Sequence, residues 1–459
     1  MSTGTRTNPP TIFNLFVRNP QSDKGVNLQA GFRSFAYYES VFSPFTTARL
    51  SFIDSGFGIR VDSNDDPTER TGTVDNALKL TGSDLLVAFG HPSGTMEFDE
   101  YRPLKVIGAT DNSAGEGKKI IDLRLQSEYG RANKDRKVGS AFKNNSTIKN
   151  SVYRLLTEQL GVPGSRLKLE DTENSLDFTG NGRSPLETAV YLASKSKAVD
   201  GPPAFFFWEY YYGFKFKSID NLIQSNPVDT YTKTDVSAGD DSAHPSCRII
   251  ESRVVIKPDV ERLSNVGLLK NDSIFFDFRT FDVKTESNTA LGISADFSTL
   301  GSKSISAEMG DLISDVDWTN PNLSSLTHMG FLDPGNNASA PGDDADSDCG
   351  DIISDYNNNP LYYQARAAMR YNSIVNNVID IVVPCNLALT VGQVIRCMFP
   401  KVTSDNRNEG VSDEATSGKY LILELSHQFS QETQTGALTH MRLGRDTHGL
   451  YTSDDGVYF

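Results

Sequence analysis

Residues Ala204–Ser218 read AFFFWEYYYGFKFKS. Nine of these fifteen residues are aromatic, in a chain that is only 37% hydrophobic. A membrane anchor, an exposed sugar-binding platform and a buried core are the three readings open to such a run. A membrane helix needs about 20 consecutive apolar residues, and this stretch is shorter and carries Glu209, Lys215 and Lys217. It reads instead as two strands meeting at Tyr212-Gly213, where glycine supplies the positive φ of a tight turn. On the second strand Phe214 and Phe216 share one face and Lys215 and Lys217 the other, so that strand reads as half-buried. On the first, Phe206, Trp208 and Tyr210 point one way and Phe205, Phe207 and Glu209 the other, which suits burial on both sides. Alternation with lysine turns Phe214 and Phe216 inward, and large aromatics mostly serve as core. The core reading is therefore preferred to the sugar platform.

Working outward, helical spacing lies just upstream. In STIKNSVYRLLTEQLGV, residues Ile148, Val152, Leu155, Leu156 and Gln159 recur at helical intervals, and Gly161 and Pro163 end the run. A second helix starts at SPLETAVYLASKS, with Ser184 as N-cap, Pro185 in the first turn and Glu187 completing a capping box. SIDNLIQ, directly after the hairpin, reads as a third, short helix. Two helices over an aromatic hairpin make a small α/β unit.

On either side the chain reads as β. FRSFAYYESVF, ARLSFIDSGF, DLLVAFGH, RPLKVIGAT and KKIIDLRLQS follow one another with Gly, Asn and Asp between them, a pattern of barrels and sandwiches. From Cys247 come CRIIESRVVIK and DSIFFDFRTFDV, and later NNVIDIVVPC, GQVIRCMFPKV, GKYLILELSHQF and LTHMRLGRD. Between them, residues 286–360 are rich in Ser, Asn, Asp and Gly and read as a loop-rich excursion. No internal repeat of 20 to 50 residues is visible.

With 459 residues the chain exceeds one hydrophobic core, so several domains are expected. Its formal net charge of −15 lacks the basic surplus of a nucleic-acid binder and suits plain solubility. No run is long enough for a membrane helix, and MSTGTRTNPPTIFNLFVRNP lacks the apolar centre of a signal peptide. Cys247, Cys349, Cys385 and Cys397 form no CxxC pair and fit reduced thiols in a cytosolically folded chain, with no zinc spacing among Cys or His.

No catalytic signature appears: HExxH, GxSxG, a phosphate loop and a dinucleotide fingerprint are all missing. GEGKK at Gly115–Lys119 lacks the first glycine and the hydroxyl of a phosphate loop and reads as a turn. His91, His244, His328, His427, His440 and His448 are scattered, although His427 and His440 fall on neighbouring predicted strands. Acidic pairs are too many to nominate a glycosidase dyad. The one metal candidate is DDADSDCGD, where Asp344, Asp346 and Asp348 have the spacing of a calcium loop's first ligands. Its glycine is one place late, at Gly350, Asp355 stands where a bidentate Glu is needed, and a solvated acidic loop is the preferred reading.

The order of these pieces resembles a known family. AYYESVFSPFTTARLSFID leads into a β region, a helix pair precedes FFFWEYYYGFKFKSIDNLI, and YNSIVNNVIDIVVPCNLALTVGQVIRCMFPKV and SGKYLILELSHQF close the chain. From about Phe32 to Asp446 this resembles the baseplate hub proteins of contractile-tailed bacteriophages, related to the hub part of type VI secretion spike proteins (VgrG). The resemblance implies a β-rich, multi-domain α+β chain with two tail-tube-like β-barrels and the small α/β domain. The expected divisions are a first barrel at 1–140, the α/β domain at 141–230, a second barrel from 231–290 and 360–450, the excursion at 291–359 and a tail at 451–459. The resemblance also implies a non-enzymatic virion protein, assembled in the host bacterial cytoplasm without a cofactor. Its expected form is a homotrimer joining the six-fold tail tube to the three-fold central spike. Expected partners are the spike, the tail tube protein or tube initiator, baseplate wedge proteins and the tape measure protein, with DNA only in passage. A receptor- or carbohydrate-binding tail protein and a cell-wall hydrolase are the competing classes.

Overall fold

The structure is a computed structural model. It describes residues 10–21, 25–55, 74, 79–113, 115, 117–142, 147–176, 178–199, 201–233, 245–257, 260–278, 281–289, 297–301, 326–332, 360–400, 413, 416–431 and 436–447. The N-terminal strands are β1 (Thr11–Arg18), β2 (Gly25–Asn27), β3 (Phe32–Ser40), β4 (Thr47–Asp54), β5 (Asp84–His91), β6 (Gly94–Phe98), β7 (Leu104–Ser113) and β8 (Lys119–Ser127). Helix α1 (Glu128–Asp135), short β9 (Ala141–Phe142), α2 (Ile148–Arg154), β10 (Leu167–Leu169), β11 (Phe178–Thr179) and α3 (Pro185–Ser194) come next. The hairpin is β12 (Phe205–Tyr210) and β13 (Gly213–Ser218), followed by α4 (Ile219–Ile223), β14 (Thr230–Thr232), β15 (Glu251–Ile256) and α5 (Val260–Asn265). Strands β16 (Lys270–Asp277), β17 (Asp282–Thr289) and β18 (Leu326–Leu332) precede α6 (Pro360–Ile374). The chain ends in β19 (Asn377–Pro384), β20 (Val394–Met398), β21 (Gly418–Ser430) and β22 (Ala437–Arg445).

Both β-rich regions enter one fourteen-stranded sheet in the order β15-β19-β22-β21-β3-β4-β8-β7-β5-β1-β2, with β6, β14 and β20 attached at its sides. Every pair from β15 to β7 is antiparallel. The seam between the regions is β21·β3, seven residues on each strand from Glu424↔Ser40 to Ser430↔Ser34. Among the described residues this path runs from β15 to β2 without returning on itself. Strands β16 and β17, which fall in the stretch expected within a second barrel, depart from that expectation. Strands β16, β17 and β18 pair only with one another, in a separate three-stranded sheet. β18 is also a regular strand inside the stretch that composition marks as loop-rich.

Apolar alternation gathers three cores. One lies behind β15, β19, β22 and β21 and includes Ile381, Val383, Leu421, Leu423, Met441 and Leu443. A second lies behind β3, β4, β8 and β7 and includes Phe35, Leu50, Phe52, Phe89, Leu123 and Phe429. The third is the helical unit, where Ile148, Val152, Leu155, Leu156, Leu186 and Leu192 meet. α3 begins as its sequence predicts, with the Ser184 N–H donating to Glu187 Oε2 at 3.2 Å in a capping box. Gly161, at φ +70°, ends the preceding helical run.

The hairpin touches all three cores. Phe206, Trp208 and Tyr210 enter the first, and Phe205, Phe207, Phe214 and Phe216 the third. Tyr211, at the turn, packs against the second. Two details differ from the sequence reading. The turn is Tyr211-Tyr212, since Tyr210 pairs with Gly213. Gly213, at φ +148°, serves close packing instead, because a Cβ there would lie 2.1 Å from the Arg166 carbonyl oxygen. Lys215 does not face solvent: it is 9% exposed, its ammonium 4.3 Å from the centre of the Tyr210 ring and 5.7 Å from that of Trp208. β13 is therefore buried on both faces, apart from the half-buried Lys217.

Candidate functional site

The residues singled out for chemistry do not converge. Asp344, Asp346, Asp348, Cys349, His244 and His448 lie outside the described residues. Among the described residues, no group of three or more His, Cys, Asp or Glu side chains is placed to hold a metal ion. His427 and His440 do sit on paired strands, β21 and β22, but at different levels, opposite Thr439 and Ser426. His427 is buried with Nδ1 3.0 Å from Thr439 Oγ1, and burial pulls its pKa down to about 4. His91 contacts Ser93 and His328 contacts Asn271. Cys247, Cys385 and Cys397 are free thiols, and burial pushes that of Cys385 up to about 12. Among the described residues, no helix is long and apolar enough to cross a membrane.

What the fold does build is a broad polar face. The side of the large sheet opposite the first two cores is concave, with a hollow of about 820 Å3 over strands β15, β19, β22, β21, β3, β4, β8 and β7. Pairing aligns its side chains in cross-strand rows. One row runs Arg253, Asp380, Arg442, Glu424 and Ser40. Arg442 there grips Asp380 with two bonds, Nε–Oδ1 at 2.9 Å and Nη2–Oδ2 at 3.3 Å, and Glu424 with Nη1 at 3.1 Å. These side chains are 37–42% exposed, so the row sets the face's charge pattern more than its stability. A second row runs Gln428, Ala36, Arg49 and Arg124. Alternation adds Asp122 beside Arg124, and Glu251 beside Arg253. Arg49, Arg124, Arg253 and Arg442 are thus matched in number by Asp122, Glu251, Asp380 and Glu424, although Arg49 stands directly opposite Arg124. The wall is close to neutral although the chain carries −15.

Behind this face, two buried carboxylates tie the hairpin to the sheet. Glu39, on β3, accepts from the Tyr211 N–H at 2.6 Å, the Tyr37 hydroxyl at 3.2 Å and the Val391 N–H at 3.2 Å. Glu209, on β12, accepts from the Thr46 N–H at 2.9 Å and from Ser127 Oγ at 2.5 Å. Burial raises the pKa of both, that of Glu209 to about 7, against the pull of these hydrogen bonds. Burial also lowers Lys215 to about 8, opposed by nearby Glu39. A third joint is Arg370 on α6, fully buried. It meets Asp220 on α4 with Nε–Oδ2 at 3.1 Å, Asp446 with Nη1–Oδ2 at 3.0 Å and the Ser298 carbonyl with Nη2 at 2.7 Å. These groups join layers of the fold, and Glu39 also lies at the floor of the hollow.

Sequence reading did not single out these joints. Glu209 carries a visible signal, as the one carboxylate in an otherwise aromatic strand, but its partners stand 82 and 163 residues away.

Against this geometry, no protein-family model matches the sequence, and no curated protein matches it in sequence. The fold does have solved counterparts. It is similar to a tail protein from Neisseria meningitidis MC58 at a TM-score of 0.51 and 11% identity, over 96% of this chain and 99% of that one. It is also similar to the 43 kDa tail protein of prophage MuSo2 from Shewanella oneidensis, at a TM-score of 0.48 and 9% identity over 96% and 100% of the two chains. A third counterpart is the E. coli c3393 protein, a component of the type VI secretion system, at a TM-score of 0.43 and 10% identity over 95% and 79%. The chain shares the fold of the first of these, a tail protein.

Proposed function

We propose that the chain is the hub of a contractile-tail baseplate: a homotrimer that joins the six-fold tail tube to the three-fold central spike and frames the axial channel. One observation carries this reading. The eight strands from β15 to β7 form an unbroken antiparallel run whose two outer strands point in opposite directions. Among the described residues, β7 pairs with β5 only at Leu104 and Lys105, and β15 pairs along one edge with β19. Open edges invite pairing with another chain. β7 of one copy meeting β15 of the next continues the antiparallel alternation, and a ring of such contacts closes.

The eight strands split into halves, β15-β19-β22-β21 and β3-β4-β8-β7, each backed by its own core. Each half corresponds to one tube-like module, the first barrel at 1–140 and the second from 231–290 and 360–450, with the β16–β18 sheet hung from the latter. Three chains then offer six modules to the tube, while the helical unit at 141–230 occurs three times and braces the periphery. The concave face lines the channel in this reading. Its near-neutral balance suits DNA that must pass without sticking, since phosphate binding scales with the cations offered. Spike, tube or tube initiator, wedge and tape measure proteins are the partners of such a hub, and the virion its location. The receptor- or carbohydrate-binding alternative loses its basis at the hairpin, where Phe205, Phe206, Phe207, Trp208, Phe214 and Phe216 are all buried.

Light scattering on the purified chain, alone and with its spike, tests this: a mass three times 50.4 kDa is expected. A monomer that persists with the spike present would overturn it.

A further inference from the structure

The sheet of β16, β17 and β18 is amphipathic in the wrong sense for a surface sheet. Its face toward α6 is largely polar: Asn271, Ser273, Asp277 and Asn288 are each at most 3% exposed. Asn271 Nδ2 reaches the Ala365 carbonyl on α6 at 3.5 Å, and Arg366 Nε donates to Asn288 Oδ1 at 3.2 Å. The opposite face carries Asp272, Thr285, Ser287 and Thr327 together with an open apolar cluster toward the β16–β17 turn. Phe278, Phe281, Val283, Met329 and Phe331 are 55%, 76%, 63%, 77% and 65% exposed. They are contiguous: Phe276 lies opposite both Val283 and Phe331, and the rings of Phe278 and Phe331 stack at 4.8 Å. Folding that hides asparagine and serine while leaving three phenylalanines in water makes sense when the outer face is covered in the assembled protein.

We infer that this face is an interface with a second copy of the chain, docking beside the β15 edge. The inference rests on the trimeric-hub reading and deepens it. Two observations choose the occupant. The first is continuity: the small sheet leaves the large one directly from its edge strand, through α5 after β15, and returns through α6 into β19, the strand paired with β15. Chain order thus ties the small sheet to the strand at which the proposed seam lies. The second is area. The exposed parts of the three phenylalanines amount to roughly 400 Å2, and Met329 and Val283 bring the face to roughly 600 Å2. That approaches the roughly 800 Å2 per partner of a standard interface, and with the strand edge beside it the requirement is met. The face is a second contact at each seam, apolar where the strand edge is polar.

The test uses the full chain with F278S, F281S and F331S combined, followed by light scattering over a dilution series. Circular dichroism and the melting temperature check that the variant is folded. The expected result is a trimer that dissociates at a concentration at least about tenfold higher than for the unaltered chain. In parallel, benzoylphenylalanine replaces Phe281, and two differently tagged copies are mixed and illuminated. A crosslink between the two tags is expected. An unaltered chain that is trimeric, with an equally tight triple variant and no crosslink between copies, overturns this inference and leaves the hub reading standing. A crosslink to the spike alone overturns it as well. An unaltered chain that stays monomeric with the spike present overturns both.

Discussion

Replacing Glu209 with Gln should remove a defined part of the protein's pH dependence. The carboxyl is 4% exposed and its pKa stands at about 7, whereas in the unfolded chain a glutamate titrates near about 4.3. Between those values the folded protein holds a proton that the unfolded chain has lost. Stability from this group is therefore fully present below about pH 4.3 and is lost as pH rises through about 7. The whole gap corresponds to about 4 kcal/mol, of which about 3 kcal/mol falls between pH 4.5 and 8. Gln cannot ionise, and it keeps an acceptor oxygen for Thr46 and Ser127. Glu39, whose charge helps to raise the Glu209 pKa, is present in both proteins, so the difference between the two curves reports Glu209 together with its coupling to Glu39. Urea unfolding between pH 4.5 and 8, followed by the fluorescence of neighbouring Trp208, gives the comparison. Wild type should lose about 3 kcal/mol more than E209Q over that interval, ending less stable relative to the variant at pH 8 than at pH 4.5. Two curves that stay parallel within about 0.5 kcal/mol would show that Glu209 remains ionised in the fold, and would refute the reasoning from burial.

Phe216→Asp should cost about 3–5 kcal/mol by placing an unpaired charge in the helical core, while Lys217→Ala, at the half-buried position beside it, should cost under about 0.5 kcal/mol; thermal melts compare them, and equal small effects would revive an exposed platform. Gly213→Ala forces its Cβ to 2.1 Å from the Arg166 carbonyl oxygen. Chemical denaturation should register a loss of about 1–3 kcal/mol. Arg370→Met leaves Asp220 and Asp446 buried without their counter-charge and should cost about 3–5 kcal/mol. The triple variant R370M/D220N/D446N should recover most of that loss in the same urea experiment.

Strand identities were legible because aromatic and β-branched residues alternate with polar ones, and this is how β3, β4, β8, β19, β21 and β22 present themselves. Tilts of that alternation were not. Tyr420, Leu421, Ile422 and Leu423 are all buried because this part of β21 is covered on both faces, which the alternation alone does not show. β1 was readable in retrospect, with Leu15 and Val17 as its buried pair, but its outer half carries exposed Phe13 and blurs the period. α1 and α6 are rich in polar side chains, and α6 follows an Asn- and Asp-rich stretch that masks its start. The charge rows of the concave face were beyond reach for a different reason. Each residue's orientation follows from its own strand, but Glu424 stands level with Ser40 only through a pairing that spans most of the chain. Lys215 was misplaced by the same limit. A lysine alternating with phenylalanine reads as solvated until a neighbouring loop, here Thr390 and Val391, covers it.

The hairpin shows why the helical unit has to exist. An antiparallel hairpin with one wet face needs one covering layer, and β13 alone would have been such a strand. β12 cannot be, because Phe205 and Phe207 lie on the side opposite Phe206, Trp208 and Tyr210. The large sheet and its loops cover the second set: Gly392, at φ +77°, lets its backbone approach so closely that a Cβ there would lie 2.5 Å from Trp208 Cζ2. The first set is then left to α2 and α3, whose apolar stripes have no other surface to bury. Sliding the helical unit off the sheet would expose one aromatic set or the other, at about 1.5–3 kcal/mol for each large side chain. It would also strip Glu209 of Thr46 and Ser127, and Glu39 of Tyr211. Apolar area makes that junction strong, and the two buried carboxylates make it specific, since a shifted register would leave Glu209 without its donors and take from Glu39 its shortest one. In the proposed hub role, a part held between two other assemblies needs a junction with both properties, and here fifteen residues of sequence supply most of it.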